Sequence, residues 1–100
     1  MKINISQVII GIDGIKPLPN PEKNGIDLTL RDIILQGLVS FQQGEPEKNK
    51  AECYRLFINI RNSKRDTLEF TAEELAVIKK KIGHNYGALV MGQAWDMIEK

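Results

Sequence analysis

The chain offers few side chains that could act as nucleophiles, general bases or metal ligands. It contains one histidine, His84, and one cysteine, Cys53. A structural zinc site takes four nitrogen or sulfur ligands, so this supply predicts no metal centre and no metal cofactor. A single histidine would have to activate Cys53 or a serine, and Ser6, Ser40 and Ser63 stand in no context typical of a catalytic nucleophile. We therefore expect a protein that is not an enzyme.

Paired acidic residues and glycine-rich loops also give no catalytic pattern. Glu73 and Glu74 stand where a helix is predicted to begin, and Glu45 and Glu47 precede another, so both pairs are explained by their positions near helix starts. The glycine spacings typical of nucleotide-binding loops are absent from the sequence. No catalytic residue and no cofactor-binding residue is therefore predicted.

The composition is that of one soluble globular domain. The chain has 100 residues, of which 42% are hydrophobic and 27% charged, with a formal net charge of +1. Such a length predicts one domain with one modest core, and so balanced a charge predicts no long-range attraction for nucleic acid or an anionic membrane. The first residues are too polar for a signal peptide, and no apolar run is long enough to span a membrane. We expect a cytoplasmic protein.

The N-terminal third predicts a small β-hairpin. The apolar residues between Lys2 and Ile12 are mostly β-branched, which favours a strand. Asp13-Gly14 is a typical turn dipeptide, and residues 15–18 could form the return strand, kept short by Pro17. Residues 67–70 alternate as a short strand does and could extend the hairpin to three strands.

Two helices are predicted in the middle of the chain. The first begins at Thr29, with Asp32 in its first turn. Its apolar stripe consists of Leu30, Ile33, Ile34, Leu38 and Phe41. Gly37 lies inside this helix, so either another backbone approaches there or the helix is locally weak.

The second helix runs from near Pro46 to about Ser63. Its second half carries apolar residues around more than one face, which is typical of a helix covered on several sides. We expect it to be the central core helix and expect Cys53 to be a small buried residue within it.

Two further helices are predicted at the C-terminus. The third begins at Thr71, capped together with Glu74, and ends at Gly83 after the run Lys79–Lys81, which is expected to be a solvated cationic terminus. The fourth runs from about Asn85 to Glu99. The predicted fold class is therefore α+β, with a small N-terminal hairpin packed on about four helices.

A basic cluster is a candidate nucleic-acid contact. It would form if the fold brings the ends of the second and third helices together. Its members are Arg61, Lys64, Arg65, Lys79, Lys80 and Lys81. Such a cluster would contact phosphates, and the alternative function is therefore that of a nucleic-acid-associated regulatory protein.

The fourth helix supplies a candidate protein interface. Tyr86, Met91, Gly92 and Trp95 give this helix more apolar surface than a small core needs, and large aromatic residues are common at binding hot spots. Ala88 and Gly92 are four residues apart, which permits close approach of another backbone, either within this chain or from a second copy. The predicted function is therefore the binding of another protein, or self-association.

The chain resembles a set of small uncharacterised proteins encoded by tailed bacteriophages and prophages. The residues that carry the resemblance are Ile12-Asp13-Gly14, the helix start at residues 28–32, and the C-terminal run from Thr71 to Trp95. The resemblance implies a phage or prophage source and an intracellular role during takeover of the host or particle assembly. It assigns no catalytic residue.

Overall fold

The computed structural model describes residues 1–22, 25–40 and 43–99. In this part of the chain, two short strands and four helices follow one another. They are β1 (Lys2–Asn4), α1 (Leu30–Val39), α2 (Glu47–Asn62), β2 (Thr67–Glu69), α3 (Ala72–Asn85) and α4 (Ala88–Glu99). The predicted α+β fold class, with a small N-terminal sheet and about four helices, is confirmed. The sheet pairs β1 with β2, however, and the predicted return strand of residues 15–18 is replaced by an isolated bridge between Ile10 and Pro17.

The two strands form an antiparallel pair in which Ile3 lies opposite Leu68. The pairing continues beyond both strands, since the Phe70 N–H donates to the Met1 carbonyl at 2.8 Å and the Ile5 N–H donates to the Asp66 carbonyl at 2.7 Å. Ile3 and Phe70 are buried. Residues 67–70 therefore join the N-terminal segment, as predicted, and close the chain over its core.

The apolar run from Lys2 to Ile12 is not one continuous strand. The Asn4 side chain accepts hydrogen bonds from the Ser6 N–H at 2.9 Å and the Ser6 hydroxyl at 2.6 Å. A side chain that bonds to the backbone two residues further on produces a turn, so β1 ends at Asn4. Ile5 and Ile9, both fully buried, then lie in the core on either side of this change of direction.

Three backbone segments meet beyond that turn. The Ile9 N–H donates to the Leu28 carbonyl, the Leu28 N–H to the Leu18 carbonyl, and the Leu18 N–H to the Ile9 carbonyl, at 2.8 to 2.9 Å. The three residues thus form a closed ring of hydrogen bonds. This ring holds the segment that precedes α1 in place, although that segment forms no long strand.

The predicted turn at Asp13-Gly14 is present, within a longer loop than a two-residue hairpin. The Gly11 N–H donates to the Lys16 carbonyl at 2.8 Å, which leaves residues 12–15 as the loop. Asp13 Oδ1 accepts from the Ile15 and Lys16 N–H groups, both at 3.0 Å. Gly14 has φ of 75°, a conformation that a side chain would disfavour. Pro17 pairs with Ile10 in an isolated bridge.

Helix α1 begins at Thr29, as predicted. The Thr29 N–H and hydroxyl both donate to Asp32 Oδ2 at 3.0 Å. The predicted stripe is buried at Leu30, Ile33, Ile34 and Leu38, and its last member, Phe41, lies outside the described residues.

Gly37 marks a close approach between α1 and α3. A Cβ atom there would lie 3.6 Å from the Ile82 nitrogen and from the Lys81 carbonyl carbon. Of the two explanations that the sequence allowed, the approach of another backbone is therefore the correct one.

Helix α2 has the predicted bounds but not the predicted central position. It buries a single stripe, Cys53, Leu56 and Ile60, while Tyr54 is exposed. Helix α1 instead packs against both α2 and α3. The prediction of a central α2 is wrong because its additional apolar residues lie towards the surface and not under a third layer.

The start of α3 is confirmed and its end is not. The Glu74 N–H donates to Thr71 Oγ1 at 3.1 Å, and the Thr71 N–H donates to Glu74 Oε1 at 2.8 Å, which forms the expected capping box. The helix continues past Gly83 to Asn85. A Cβ on Gly83 would lie 3.3 Å from Trp95 Cζ2, so this glycine makes room for the ring of Trp95 and does not end the helix.

Candidate protein-interaction surface

The four residues predicted as an interface on or beside α4 are only partly available. Tyr86, Met91 and Trp95 are half-buried and pack against the core. The Trp95 Nε1–H donates to the Lys79 carbonyl at 3.1 Å, and Lys79 Nζ lies 4.8 Å from the centre of a Trp95 ring. The indole thus joins α4 to α3, and much of its apolar surface is used within the chain.

Gly92 does not receive another backbone from the described part of this chain. A Cβ built there would have no heavy atom within 4 Å beyond its chain neighbours and its own helix backbone. Ala88, one turn earlier, is exposed. The interpretation of this small-residue pair as internal packing is therefore wrong for Gly92.

The most exposed large apolar side chains of the described residues lie elsewhere, on the loop of residues 12–15, which we name the turn tip. Ile12 is 93% exposed and Ile15 is 79% exposed. Sequence reasoning assigned both to strands and missed them as a surface. A signal was nevertheless present, because apolar residues that flank Asp13-Gly14 occupy turn positions, which rarely face a core.

The turn tip is held in place from two sides. On one side, the chain that leads into and out of the turn tip is held by the ring of hydrogen bonds among Ile9, Leu18 and Leu28. On the other side, Ile10 is hydrogen-bonded to α4. The Ile10 N–H donates to Gln93 Oε1 at 2.8 Å, and Gln93 Nε2 donates to the Ile10 carbonyl at 2.7 Å. Gln93 Nε2 also donates to the Leu89 carbonyl at 3.3 Å, so the exposed Leu89 lies on the same side of the molecule.

Asp13 stabilises the turn tip in its ionised form. The backbone N–H of Ile15, followed by that of Lys16, lowers the pKa of the Asp13 carboxyl. A lowered pKa means that the turn gains stability above the ordinary pKa of the carboxyl and loses it as the pH falls through the folded value. The turn tip is thus fully stabilised at neutral pH.

The lysine run of α3 is not a solvated cationic terminus. Lys81 is 3% exposed, and its ammonium lies 2.8 Å from Glu45 Oε1. Lys79 pairs with Glu99 and lies over the ring of Trp95. Of the three lysines, only Lys80 is exposed. The prediction failed because the sequence does not show that Glu45 and Trp95 reach these positions.

The six basic residues predicted as a cluster lie at three places, of which the first is that of Lys79, paired with Glu99 on α4. Lys80 and Lys81 line a cavity of about 300 Å³ together with Pro46 and Asn49, at the start of α2. Arg61, Lys64 and Arg65 instead lie at the end of α2 and just beyond it, where Arg61 stacks on the ring of Phe57 at 5.3 Å. The end of α3 thus faces the beginning of α2 and not its end. The fold does not gather the six residues into one patch.

Arg31, to which no role is assigned from the sequence, binds the end of α2. Its Nη1 donates to the carbonyls of Ile60 and Ser63, both at 2.8 Å, and its Nη2 donates to the Arg65 carbonyl at 2.7 Å. A guanidinium at a helix C-terminus satisfies carbonyls that have no partner within the helix and complements the helix dipole. Arg31 therefore joins the start of α1 to the end of α2.

Cys53 lies beside the cavity at the start of α2 but has no features of a nucleophile. The residue is 2% exposed, and burial raises the pKa of its thiol, although the nearby Lys81 ammonium opposes this effect. A raised pKa keeps the thiol protonated at neutral pH, and the thiolate is the reactive form. The environment therefore supports Cys53 as a packing residue.

The described residues contain no group of three or more histidine, cysteine, aspartate or glutamate side chains placed to hold a metal ion. None of the described helices combines the length and the apolar character needed to cross a membrane. The turn tip remains the most exposed apolar feature.

Comparison with protein-family models found no model that matches the chain, and comparisons with curated proteins and with solved structures found no match either.

Proposed function

We propose that this chain is a non-enzymatic protein–protein interaction domain that binds its partner through the turn tip. The observation that carries the proposal is the exposure of Ile12 at 93% and Ile15 at 79% on one short loop. Burial of an isoleucine side chain stabilises a contact by about 1.5 to 3 kcal/mol. Two such side chains on four successive residues form an anchor that a partner with an apolar pocket would bury.

The way in which the turn tip is held supports the same proposal. Its base is fixed by the bond from Gly11 to Lys16 and by the pair of bonds between Ile10 and Gln93. A loop that already has its bound shape loses less conformational entropy on association. The described contacts thus favour a preformed recognition element.

The proposal also includes a source and a setting. The resemblance of the sequence to small proteins of tailed phages and prophages supports a role inside a bacterial host cell, in takeover of the host or in particle assembly. The partner is accordingly a host protein, a phage protein or a second copy of the chain.

Protein binding is preferred to the alternative role as a nucleic-acid-associated regulator because the six candidate basic residues lie at three separate places. Lys81 is also neutralised by Glu45. A protein that binds phosphates loses affinity steeply as salt rises, so filter binding of DNA and RNA at two salt concentrations separates the two functions. We expect no salt-sensitive binding to either nucleic acid.

The test of the proposed function is a comparison of three purified forms as bait in extracts of producing cells. They are the unchanged protein, the double variant Ile12→Ser/Ile15→Ser, and the control variant Tyr54→Ser. Tyr54 is an exposed apolar residue on α2, outside the turn tip. Quantitative mass spectrometry then measures which proteins are retained, and light scattering measures self-association.

We expect one partner, or a second copy, to be retained by the unchanged protein and by the Tyr54 variant at equal levels. The double variant should retain it at least about tenfold less, since the loss of two buried isoleucines exceeds 1.4 kcal/mol. Equal retention by all three forms would contradict the proposal, as would a monomer that retains nothing.

A further inference from the structure

A groove runs along α1 on the side that faces away from the core. Its volume is about 500 Å³, within the usual range for binding sites. Helix α1 contributes Leu35 and Val39 to the groove, and apolar side chains from neighbouring segments, Leu28, Phe57 and Tyr86, also line it. This surface is distinct from the turn tip.

The charged groups among the described lining residues have one sign of charge at neutral pH. They are the carboxylates of Glu22 and Asp32, whereas the Tyr86 hydroxyl, which also lines the groove, is uncharged. In the described part of the chain, neither carboxylate takes part in an ion pair. Arg61 stacks on Phe57 but does not line the groove. The groove therefore combines apolar side chains with two negative charges from its described lining residues.

The surroundings of the Tyr86 hydroxyl agree with this description. Burial raises its pKa, a hydrogen bond with the Asn85 side chain opposes that effect, and the carboxylates of Asp32 and Glu22 raise the pKa further. Both carboxylates thus act on the same point of the groove wall. A cation placed there would interact with the two charges and with the faces of aromatic rings.

A polar side chain that is nine-tenths buried completes the site. Asn20 is 9% exposed and lines the groove. Its Oδ1 accepts from the Glu22 N–H at 2.9 Å. No buried side-chain nitrogen or oxygen of the described residues lacks a hydrogen-bond partner, so the Nδ2 group of Asn20, for which the described residues provide no acceptor, is reached by solvent. A solvent-accessible amide donor beside an apolar groove matches a carbonyl group of a bound chain.

We infer that the groove along α1 binds an extended segment of a partner protein in which a lysine or arginine is flanked by apolar residues. The carboxylates of Glu22 and Asp32 bind the cation, the aliphatic side chains contact the flanking residues, and Asn20 donates to the backbone. Charge excludes an acidic segment from the same place. The inference holds whether or not the turn tip binds a partner.

Two capped pentapeptides test this inference, Ser-Leu-Arg-Leu-Ser and its uncharged counterpart Ser-Leu-Gln-Leu-Ser. Each is titrated into the full chain, and the amide signals are followed by two-dimensional NMR. We expect shifts of the signals of Glu22, Gln36 and Tyr86. We also expect the arginine peptide to bind about fivefold more tightly than the glutamine peptide, the ratio for one partly exposed charge pair.

Two variants with the same change of net charge locate the effect. In the unchanged protein, Gln36 Nε2 donates to Glu22 Oε1 at 2.9 Å. The amide oxygen introduced by Glu22→Gln can accept the same hydrogen bond, so this variant removes the charge and keeps the contact. Asp96→Asn removes an exposed charge from α4, outside the groove. Only the Glu22 variant should lose the preference for arginine, by about threefold, and the Ile12→Ser/Ile15→Ser variant should bind the peptide normally.

Four outcomes of the peptide experiments would overturn the inference. They are equal affinity for the two peptides, equal behaviour of the Glu22 and Asp96 variants, shifts confined to another surface, and the absence of any shift at millimolar peptide. Arginine amide that binds as tightly as the pentapeptide would also overturn it, because the flanking residues would then contribute nothing.

Discussion

The turn tip and the C-terminal helix pair, α3 with α4, both carry conspicuous side chains but use them in opposite ways. Ile12 and Ile15 are almost entirely solvated, whereas Trp95 lies against Gly83 and Lys79. A four-residue loop has no second layer over it among the described residues, so its apolar side chains have little to contact there. A pair of helices supplies such a layer. An apolar residue that the core does not need is therefore a better indicator of a binding site when it lies in a turn than when it lies on a helix.

The comparison predicts that changes in the helix pair act on stability and changes in the turn tip act on binding. The largest effect on stability is expected at Lys81. Lys81→Met leaves the buried Glu45 carboxylate without its partner, and removal of one member of a buried ion pair costs about 3 kcal/mol. Urea denaturation followed by circular dichroism measures the free energy of unfolding.

The double variant Lys81→Met/Glu45→Gln provides the matched control for this prediction. It should recover most of the lost stability, because the uncompensated charge is gone. A single variant as stable as the unchanged protein would mean that this pair does not join the start of α2 to α3.

The second-largest loss of stability is expected on substitution of Trp95. Trp95→Ala removes the ring that contacts Gly83 and the hydrogen bond to the Lys79 carbonyl, so we expect a loss of about 2 to 3 kcal/mol in the free energy of unfolding. The retained partner should be unaffected in conditions where the variant is folded. A stable Trp95 variant that no longer binds the partner would instead place the interface on α4. The helix pair, and not the turn tip, would then be the binding surface.

The two glycines of the helix pair give a smaller and more selective prediction. Gly92→Ala should stabilise the protein by up to about 1 kcal/mol, because the new methyl group enters open space inside a helix. In Gly83→Ala the same gain is opposed by a contact of 3.3 Å with Trp95, so we expect almost no net change. Melting temperatures of the two variants measure the difference. A destabilised Gly92 variant that no longer self-associates would reveal a seam between copies.

The smallest effect on stability is expected at the turn tip itself. Ile12→Ser/Ile15→Ser should change the free energy of unfolding by less than about 0.5 kcal/mol, since both side chains are solvated and no described core contact is removed. The same denaturation experiment measures it. A loss above about 2 kcal/mol would show that the turn tip contributes to folding, and its exposure would then not indicate a binding site.

Much of the fold could be predicted because local chemistry determines it. The starts of α1 and α3 follow from Thr29 with Asp32 and from Thr71 with Glu74, residues only three apart. The Asp13-Gly14 turn is equally local. The pairing of residues 67–70 with the N-terminus could be proposed because an isolated hairpin is unstable in water.

The remaining features depend on contacts between residues distant in the sequence. The burial of Lys81 requires Glu45, which lies 36 positions earlier. The close contact at Gly83 involves Trp95, and the support of the turn tip involves Gln93, which lies 83 positions from Ile10. A pattern read along one helix identifies apolar side chains but not what covers them, which is why the candidate interface was placed on α4.

The most direct measurement of the central claim is site-specific photocrosslinking in producing cells, with a benzophenone side chain in place of Ile12 or in place of Met91. If the turn tip is the recognition element, irradiation should join position 12 to one defined protein or to a second copy, and position 91 should give little product. A defined product from position 91, with none from position 12, would contradict the claim and return the interface to α4.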